Sequence, residues 1–196
     1  MEAERPRLWV VRHGETEWSL AGRHTGRTDL PLSPQGERQA SALGPILARR
    51  RFALVLTSPL RRARDTCRLA GFGDVAQAEP DLAEWDYGRY EGMTRREIEQ
   101  SDPGWTIWTG VVPGGEAAQE VAARADRVIT RAISAGGDAL LFAHGHLLRV
   151  LAARWLGLPA AEGRRLGLDP ATLGILGHER GARVIQMWNA PAVPAR

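Results

Sequence analysis

Leu8-Trp9-Val10-Val11-Arg12-His13-Gly14-Glu15 is the stretch that decides the architecture. Four apolar residues in succession suit a strand buried on both faces. The run then stops at a cation, an imidazole and a residue without a side chain. In an open α/β sheet, ligands bind beyond the carboxyl ends of the strands. The stretch therefore predicts a buried strand that presents Arg12 and His13 to an anion approaching the backbone at Gly14. Arg-His-Gly alone is short enough to end an ordinary strand, so the rest of the chain has to discriminate.

Downstream, Thr16-Glu17-Trp18-Ser19 leads into a loop, Gly22 to Asp29, whose glycines and short polar side chains let it wrap a ligand. Ser33-Pro34 predicts a helix start, with Ser33 as N-cap and Glu37 in the first turn. Ala40, Leu43 and Leu47 form its inner stripe, and Pro45 predicts a kink or an early break. Leu54-Val55-Leu56 reads as a second buried strand. Ser58-Pro59 repeats the cap-plus-proline signal and predicts a helix whose N-terminal N–H groups favour an anion. Arg61, Arg62 and Arg64 lie in or near its first turn, where successive side chains point about 100° apart, so they cannot all face one pocket.

Gly71 to Gly115 is loop-rich, and Leu82 to Gly92 packs acids, aromatics and glycines together, as a functional lid does. Glu116 to Ala135 predicts a helix ended by Gly136-Gly137. Ala139 to Ala143 is the third buried strand and ends in His144-Gly145-His146, with a helix over Leu147 to Leu156. Leu173 to Leu176 and Val184 to Trp188 read as the last strands, the latter near a sheet edge. Strands and helices in alternation predict an α/β fold: a three-layer α/β/α sandwich with a mostly parallel central sheet. Three strand ends converge on Arg-His-Gly, Ser-Pro with its arginines, and His-Gly-His, which together point to a phosphate site.

Composition narrows the classes. A chain of 196 residues, 43% hydrophobic and 25% charged, reads as one soluble domain over residues 1–196. A polar N-terminus and the lack of a long apolar run predict no membrane span, no secretory signal and a cytoplasmic location. A single cysteine, Cys67, excludes an internal disulfide and a cysteine-cluster metal site. All 26 basic residues are arginine, which removes Schiff-base chemistry and the P-loop lysine. Arginine also offers a planar fork of donors that fits phosphate, although genome composition explains the bias more simply. The arginines are dispersed among nearly as many acids, so no nucleic-acid partner is expected. A homodimer stays open.

The chemistry follows from the residue types. Arg12, one arginine of the 61–64 cluster and a second imidazole can hold a phosphate monoester. Phosphoryl transfer mainly asks for positioning and charge neutralisation. A neutral imidazole can be the nucleophile, and a carboxylic acid can protonate the leaving alkoxide and then activate water. No metal and no cofactor are expected. Of the two histidines after the third strand, His144 follows it directly and is preferred, with His146 as a packing or cap residue. His24 lies in the glycine-rich loop, at an entrance or the surface, and His178 reads as structural. Glu84, Asp86 and Glu91 are equivalent acids on chemistry alone.

These residues resemble the histidine phosphatase superfamily, also called the phosphoglycerate mutase-like family, from Leu8 to about Trp188. Its Arg-His-Gly-Glu-Thr signature stands as Arg12 to Thr16, its Ser-Pro-Leu-x-Arg-Ala segment as Ser58 to Ala63, and its second histidine motif as Ala143-His144-Gly145. The resemblance selects Arg62 as the pocket arginine and Glu84, within Leu82 to Gly92, as the proton donor. It implies that His13 is the phosphorylated nucleophile, with Arg12, Arg62 and His144 around the phosphate. Ser19, Thr25, Gly26 and Gly145 are further candidate substrate contacts. Ser19 stands where many members have Asn and is shorter, and His146 replaces what is often glycine.

The resemblance also frames the activity. Mutases of the family have a longer insertion after the glutamate motif, whereas only a short segment separates Gly92 from Pro113 here, which favours hydrolysis. A metal-independent phosphomonoester hydrolase acting on a small phosphorylated metabolite, such as a sugar phosphate or bisphosphate, is the expected activity. The alternatives are a mutase-type phosphotransferase and a silent phospho-ligand-binding protein. Arg27, Arg64 and Arg89 are candidates for a second phosphate. With Glu84 protonated and His13 neutral together, the rate should be bell-shaped in pH.

Overall fold

The computed structural model describes residues 5–192. Strand β1 (Leu8–Arg12) is followed by a one-turn helix α1 (Glu17–Leu20), then α2 (Pro34–Leu47), β2 (Leu54–Thr57), α3 (Arg61–Leu69) and a two-residue strand β3 (Gln77–Ala78). Short helical turns lead to α4 (Arg95–Ser101) and α5 (Ala118–Ser134), then β4 (Ala139–Ala143), α6 (Gly145–Trp155), β5 (Thr172–Glu179) and β6 (Ala182–Pro191). The six strands form one sheet in the order β3-β2-β4-β1-β5-β6. The first four in that order run parallel, and β5 and β6 continue the sheet antiparallel.

Alternation along the central strands divides the core in two. Leu8 and Val10 of β1, with Leu141 of β4, pack beneath Val121, Val128 and Ile129 of α5 and Leu147, Leu148 and Leu151 of α6. Trp9 and Val11, with Leu140 and Phe142, pack on the opposite face against Leu43 and Leu47 of α2 and Cys67 of α3. A strand buried on both faces has no polar side to show, and that is why β1 and β4 read as continuous apolar runs. The result is the three-layer α/β/α sandwich with a mostly parallel sheet. Among the described residues no helix is long and apolar enough to cross a membrane.

Several local expectations are corrected. Pro45 neither breaks nor shortens α2, which continues to Leu47. It sits in the last turn, and the carbonyl it leaves unpaired, that of Ser41, belongs to an exposed residue that water can serve. Ser58 does not cap α3: the helix starts at Arg61 with Leu60 at its N-cap. The free N–H of Arg61 is taken at 2.6 Å by Asp29 Oδ1 from the glycine-rich loop, so the anion at this helix end is one of the chain's own carboxylates. Helix α6 begins at Gly145, before the expected Leu147, and its N-cap is His144. Gly14 is required for a different reason than ligand approach: a Cβ there would lie 2.4 Å from Gly36 O of α2.

Candidate active site

The parallel pairing of β1 with β4 sets Arg12 beside Ala143, so the residues that follow each strand, His13 and His144, emerge side by side. His13 N–H donates to Ala143 O at 2.9 Å, and the two imidazoles meet edge to face with centroids 5.2 Å apart. Gly14 N–H is anchored on Thr66 Oγ1 of α3 at 3.0 Å. These two bonds tie the residues that follow β1 to β4 and α3.

His13 is 4% exposed. Its Nδ1 lies 2.7 Å from Gly14 O, and because a carbonyl only accepts, Nδ1 carries the proton and Nε2 the lone pair. Burial, then the charges of Arg62 and Arg12, hold its pKa well below the usual histidine value. His144 is fully buried, with Nε2 2.7 Å from Ser58 Oγ. Burial, followed by Arg62, His13 and Arg12, lowers its pKa in the same direction. Both imidazoles are thus held neutral.

Two guanidinium groups face them. Arg12 Nη1 donates to Leu168 O at 2.5 Å, and Gly145 lets this group lie close, since a Cβ there would meet Arg12 Cζ at 3.3 Å. Arg62, fully buried, donates to three loop carbonyls: Thr28 O at 3.0 Å, Thr25 O at 2.9 Å and Gly26 O at 3.0 Å. Among the described residues neither has a carboxylate partner. Among the described residues the buried side-chain nitrogens without a hydrogen-bond partner are Arg12 Nε, Arg62 Nε, His144 Nδ1 and His178 Nδ1. Three of these four belong to this cluster. Such atoms are unfavourable to bury, and a phosphate group supplies the acceptors that two cationic nitrogens need.

The structure separates the three acid candidates. Glu84, 7% exposed, lines the pocket that Arg12 and His13 also line. Its Oε1 accepts from Trp85 N and Leu147 N at 2.9 Å each, and its Oε2 from His146 N at 3.0 Å. The N-terminal amides of α6 are therefore spent on orienting this carboxyl group. Asp86 is ion-paired with Arg27 at 2.7 Å. Glu91 accepts from Gly26 N through both oxygens at 3.0 Å and from Thr28 N at 3.1 Å, which shapes the loop whose carbonyls hold Arg62.

The pocket has a volume of about 200 Å³, and its walls include Ser19, Arg23, His24, Thr25, Tyr87, Gly145, His146, Arg149 and Leu168. Arg62 and His144 are fully buried and are not among these wall residues. Ser19 lines the pocket, but its hydroxyl is committed to Thr16, accepting from Thr16 N and donating to Thr16 O at 2.9 Å each. Thr25 also lines it, its hydroxyl donating to Arg23 O at 3.2 Å. The Gly26 N–H is occupied by Glu91. Arg27 is on Asp86, and Arg64 and Arg89 are exposed residues outside the pocket.

His24 Nδ1–H donates to Met93 O at 2.8 Å, and its ring lies parallel to that of His146, 6.0 Å away. His146 is bonded to the Tyr87 hydroxyl at 2.5 Å; burial, then Glu84, raises the Tyr87 pKa well above 10.0. His178 packs edge-on against Trp155. Sequence reasoning missed the Leu168 carbonyl, the tie from Ser58 to His144, and Arg149. For Arg149 the signal was present: it falls on the first turns of the helix that follows the His-Gly-His strand end.

Residues 8–191 match the family model of the histidine phosphatase superfamily, branch 1. The chain is 42% identical over 192 residues to an acid phosphatase of Mycobacterium tuberculosis, covering 96% of this chain and 94% of that one. It is 38% identical over 185 residues to sedoheptulose 1,7-bisphosphatase of Saccharomyces cerevisiae, covering 78% of this chain and 68% of that protein. A solved open-reading-frame product of Mycobacterium tuberculosis superposes with a TM-score of 0.92 at 41% identity, covering 96% of this chain and 99% of the other. The chain belongs to the histidine phosphatase superfamily, branch 1, and is an enzyme of the phosphatase type.

Proposed function

We propose that this protein hydrolyses phosphate monoesters of small metabolites through a phosphohistidine on His13, without a metal ion. The observation that carries the reading is the cluster of buried nitrogens without partners around an imidazole whose Nε2 holds the lone pair. Arg12, Arg62 and His144 take the phosphate oxygens and spread their charge, which is what the protein must do in phosphoryl transfer. Two arginines that have no carboxylate partner among the described residues provide that charge from the chain itself.

In the first step His13 Nε2 attacks phosphorus, the P–O ester bond breaks, and the leaving alkoxide takes the proton of Glu84. In the second step the Glu84 carboxylate takes a proton from water, which attacks phosphorus, breaking the N–P bond. Inorganic phosphate leaves and His13 and Glu84 return to their starting states. The fixed carboxyl group, held by three backbone amides, serves both steps from one position. Relatives described as acid phosphatase, sedoheptulose 1,7-bisphosphatase and glucosyl-3-phosphoglycerate phosphatase support a small phosphorylated metabolite as the substrate class.

The test is phosphate release from sugar phosphates, sugar bisphosphates, 3-phosphoglycerate and a phosphotyrosine peptide, with and without chelator, for the wild type and His13→Ala. Release that survives chelation and drops by about 1,000-fold or more in the variant is expected. Release that depends on added metal, or that His13→Ala retains, overturns the mechanism. Isomerised phosphate ester in place of free phosphate would assign mutase chemistry.

A further inference from the structure

Glu84 stands on backbone that belongs to neither helix nor strand: the short turn Pro80–Leu82 ends before it, and Gly88–Tyr90 begins after it. Its carboxyl group is oriented by the amides of Trp85, His146 and Leu147. Those bonds fix the tip of the side chain. They leave open what holds the segment that carries it, since no regular hydrogen-bond ladder runs through residues 83–87.

Arg124 and Glu116 hold it, one on each side. Arg124, in the second turn of α5, donates through Nη1 to Asp81 O at 2.7 Å and to Ala83 O at 2.9 Å, with Nη2 3.5 Å from Glu84 O. Glu116, just ahead of α5, takes the other flank. Its Oε2 accepts from Asp86 N at 3.0 Å, its carbonyl accepts from Trp85 Nε1 at 2.8 Å, and its N–H donates to Asp86 O at 3.0 Å. The two residues are joined by a two-pronged ion pair, Arg124 Nε to Glu116 Oε1 at 2.8 Å and Nη2 to Oε2 at 2.9 Å, whose side chains are only 13% and 22% exposed. The backbones also meet directly: a Cβ at Gly115 would lie 2.3 Å from Asp86 O, and one at Gly88 2.3 Å from Pro113 O.

Other ion pairs here, such as Arg61 with Asp65 and Arg95 with Glu99, link exposed side chains one helical turn apart. The pair of Arg124 and Glu116 instead brackets Glu84, at residues 81 and 83 before it and 85 and 86 after it. A planar guanidinium can serve carbonyls and a carboxylate together, which an ammonium group cannot. Displacing a reacting group by about 1 Å lowers a rate by about 100-fold. We infer that Arg124, through its pair with Glu116, is a positioning residue for the proton donor: it sets where Glu84 stands, so that one carboxyl group reaches first the leaving oxygen and then the attacking water. Neither residue is among the walls of the pocket of Arg12 and His13, so their effect passes through Glu84. The inference rests on the phosphohydrolase reading above and deepens it.

Rapid-quench kinetics on the intact enzyme test it with two esters: p-nitrophenyl phosphate, whose leaving group departs as a stabilised anion without a proton, and the fastest sugar phosphate of the panel above, whose alkoxide needs one. In Arg124→Met the formation of phosphohistidine from the sugar phosphate should slow by about 100-fold, while formation from p-nitrophenyl phosphate stays within about threefold of the wild type. Breakdown of the phosphohistidine needs Glu84 as base and should slow by about 100-fold with either ester. With p-nitrophenyl phosphate the variant should therefore release a burst of about one nitrophenolate per active site and then turn over slowly, at little changed KM. That burst counts intact sites, so unfolding, which removes burst and turnover in proportion, is told apart. Arg124→Lys, which keeps the charge and loses the fork, should show the same pattern at about 10-fold. If the methionine variant does not fold, Arg124→Lys and Glu116→Gln carry the same comparison. Equal slowing of phosphohistidine formation from both esters, or wild-type rates in all variants that fold, overturns the inference and leaves the hydrolase reading intact. Glu84→Gln serves as the reference: absence of the split between esters in that variant would overturn Glu84 as the proton donor, and this inference with it.

Discussion

His13 and His144 stand ring to ring, 5.2 Å apart and inclined by 60°, and are tied down through opposite nitrogens. His13 is held by Nδ1 on the Gly14 carbonyl, and His144 by Nε2 on the Ser58 hydroxyl. The free nitrogen is therefore Nε2 in one ring and Nδ1 in the other. This asymmetry suits one nucleophile and one phosphate ligand, and it separates two residues that look alike in the sequence.

The tie to Ser58 is testable. Ser58→Ala leaves His144 Nε2 buried without a partner, which should lower stability by about 1–3 kcal/mol. Reorientation of the ring should lower kcat by roughly 10- to 100-fold. Thermal melting and single-substrate kinetics read the two effects. An unchanged kcat would show that packing alone orients the imidazole.

The acid side of the rate profile follows from His13. Burial, Arg62 and Arg12 lower its pKa well below 6.5, so the neutral nucleophile persists as pH falls through that value. After correction for the substrate's own second ionisation near pH 6, kcat/KM should show no inflection between about pH 6 and 7. Imidazole nitrogen shifts of His13 across the same range should stay those of the neutral ring. Titration near 6.5 by either readout contradicts the assigned environment.

Stability should respond to the same protons. His13, His144 and His146 are all held neutral, in each case by burial first. Unfolded histidines take up protons as pH falls below about 6.5 and the folded ones do not. Their stabilisation is complete above that pH and is lost as pH drops toward the folded values, by up to about 1.4 kcal/mol per pH unit for each site. Between about pH 6.5 and 5 the unfolded carboxylates remain ionised, so this window isolates the histidines. Urea midpoints at pH 7.5 and 5.2 should differ clearly, and equal midpoints would refute the effect.

The meeting of Gly14 and Gly36 fixes how the catalytic loop sits on α2. A Cβ at Gly36 would lie 2.1 Å from Glu15 O, where the obstacle is backbone and cannot rotate away. Gly36→Ala should therefore destabilise the fold by about 2–3 kcal/mol and also reduce kcat, because Glu15 lies two residues from His13. A melting temperature equal to the wild type's would show that α2 can shift without strain.

Glu91 offers a test of the loop that encloses Arg62. Glu91→Gln replaces one of the oxygens facing the Gly26 and Thr28 amides with a second donor. The loop carbonyls that position Arg62 should loosen, raising KM by about 10-fold with a smaller change in kcat. A KM within twofold of the wild type's would show that the loop keeps its shape without these bonds.

Much of the fold was legible along the chain. Continuous apolar runs at Leu8–Val11 and Ala139–Ala143 marked strands covered on both sides, and the stripe Val121, Ala125, Val128, Ile129 marked one face of α5, because burial repeats with the local period of each element. The side chains at the strand ends were legible for the same reason: Arg12, His13 and His144 follow their strands directly. Local pattern was thus enough to read the layered α/β architecture and to place Arg12, His13 and His144 at strand ends, while Arg62 and Glu84 were selected by the family resemblance.

Tertiary structure decided the partners. That Asp29 fills the N-terminus of α3, that the amides of α6 turn to Glu84 rather than to Asp86 or Glu91, that Gly14 serves the backbone of Gly36, and that Ser58 holds His144 instead of capping a helix all join groups distant in the chain. The pattern puts Arg149 near the start of α6 and Arg154 in its last turn, but it does not say which of them meets a carboxylate: Arg154 pairs with Asp126. Periodicity reports which face of a segment is buried. Which donor meets which acceptor, and which charge is left for a ligand, depends on how the segments are brought together in space.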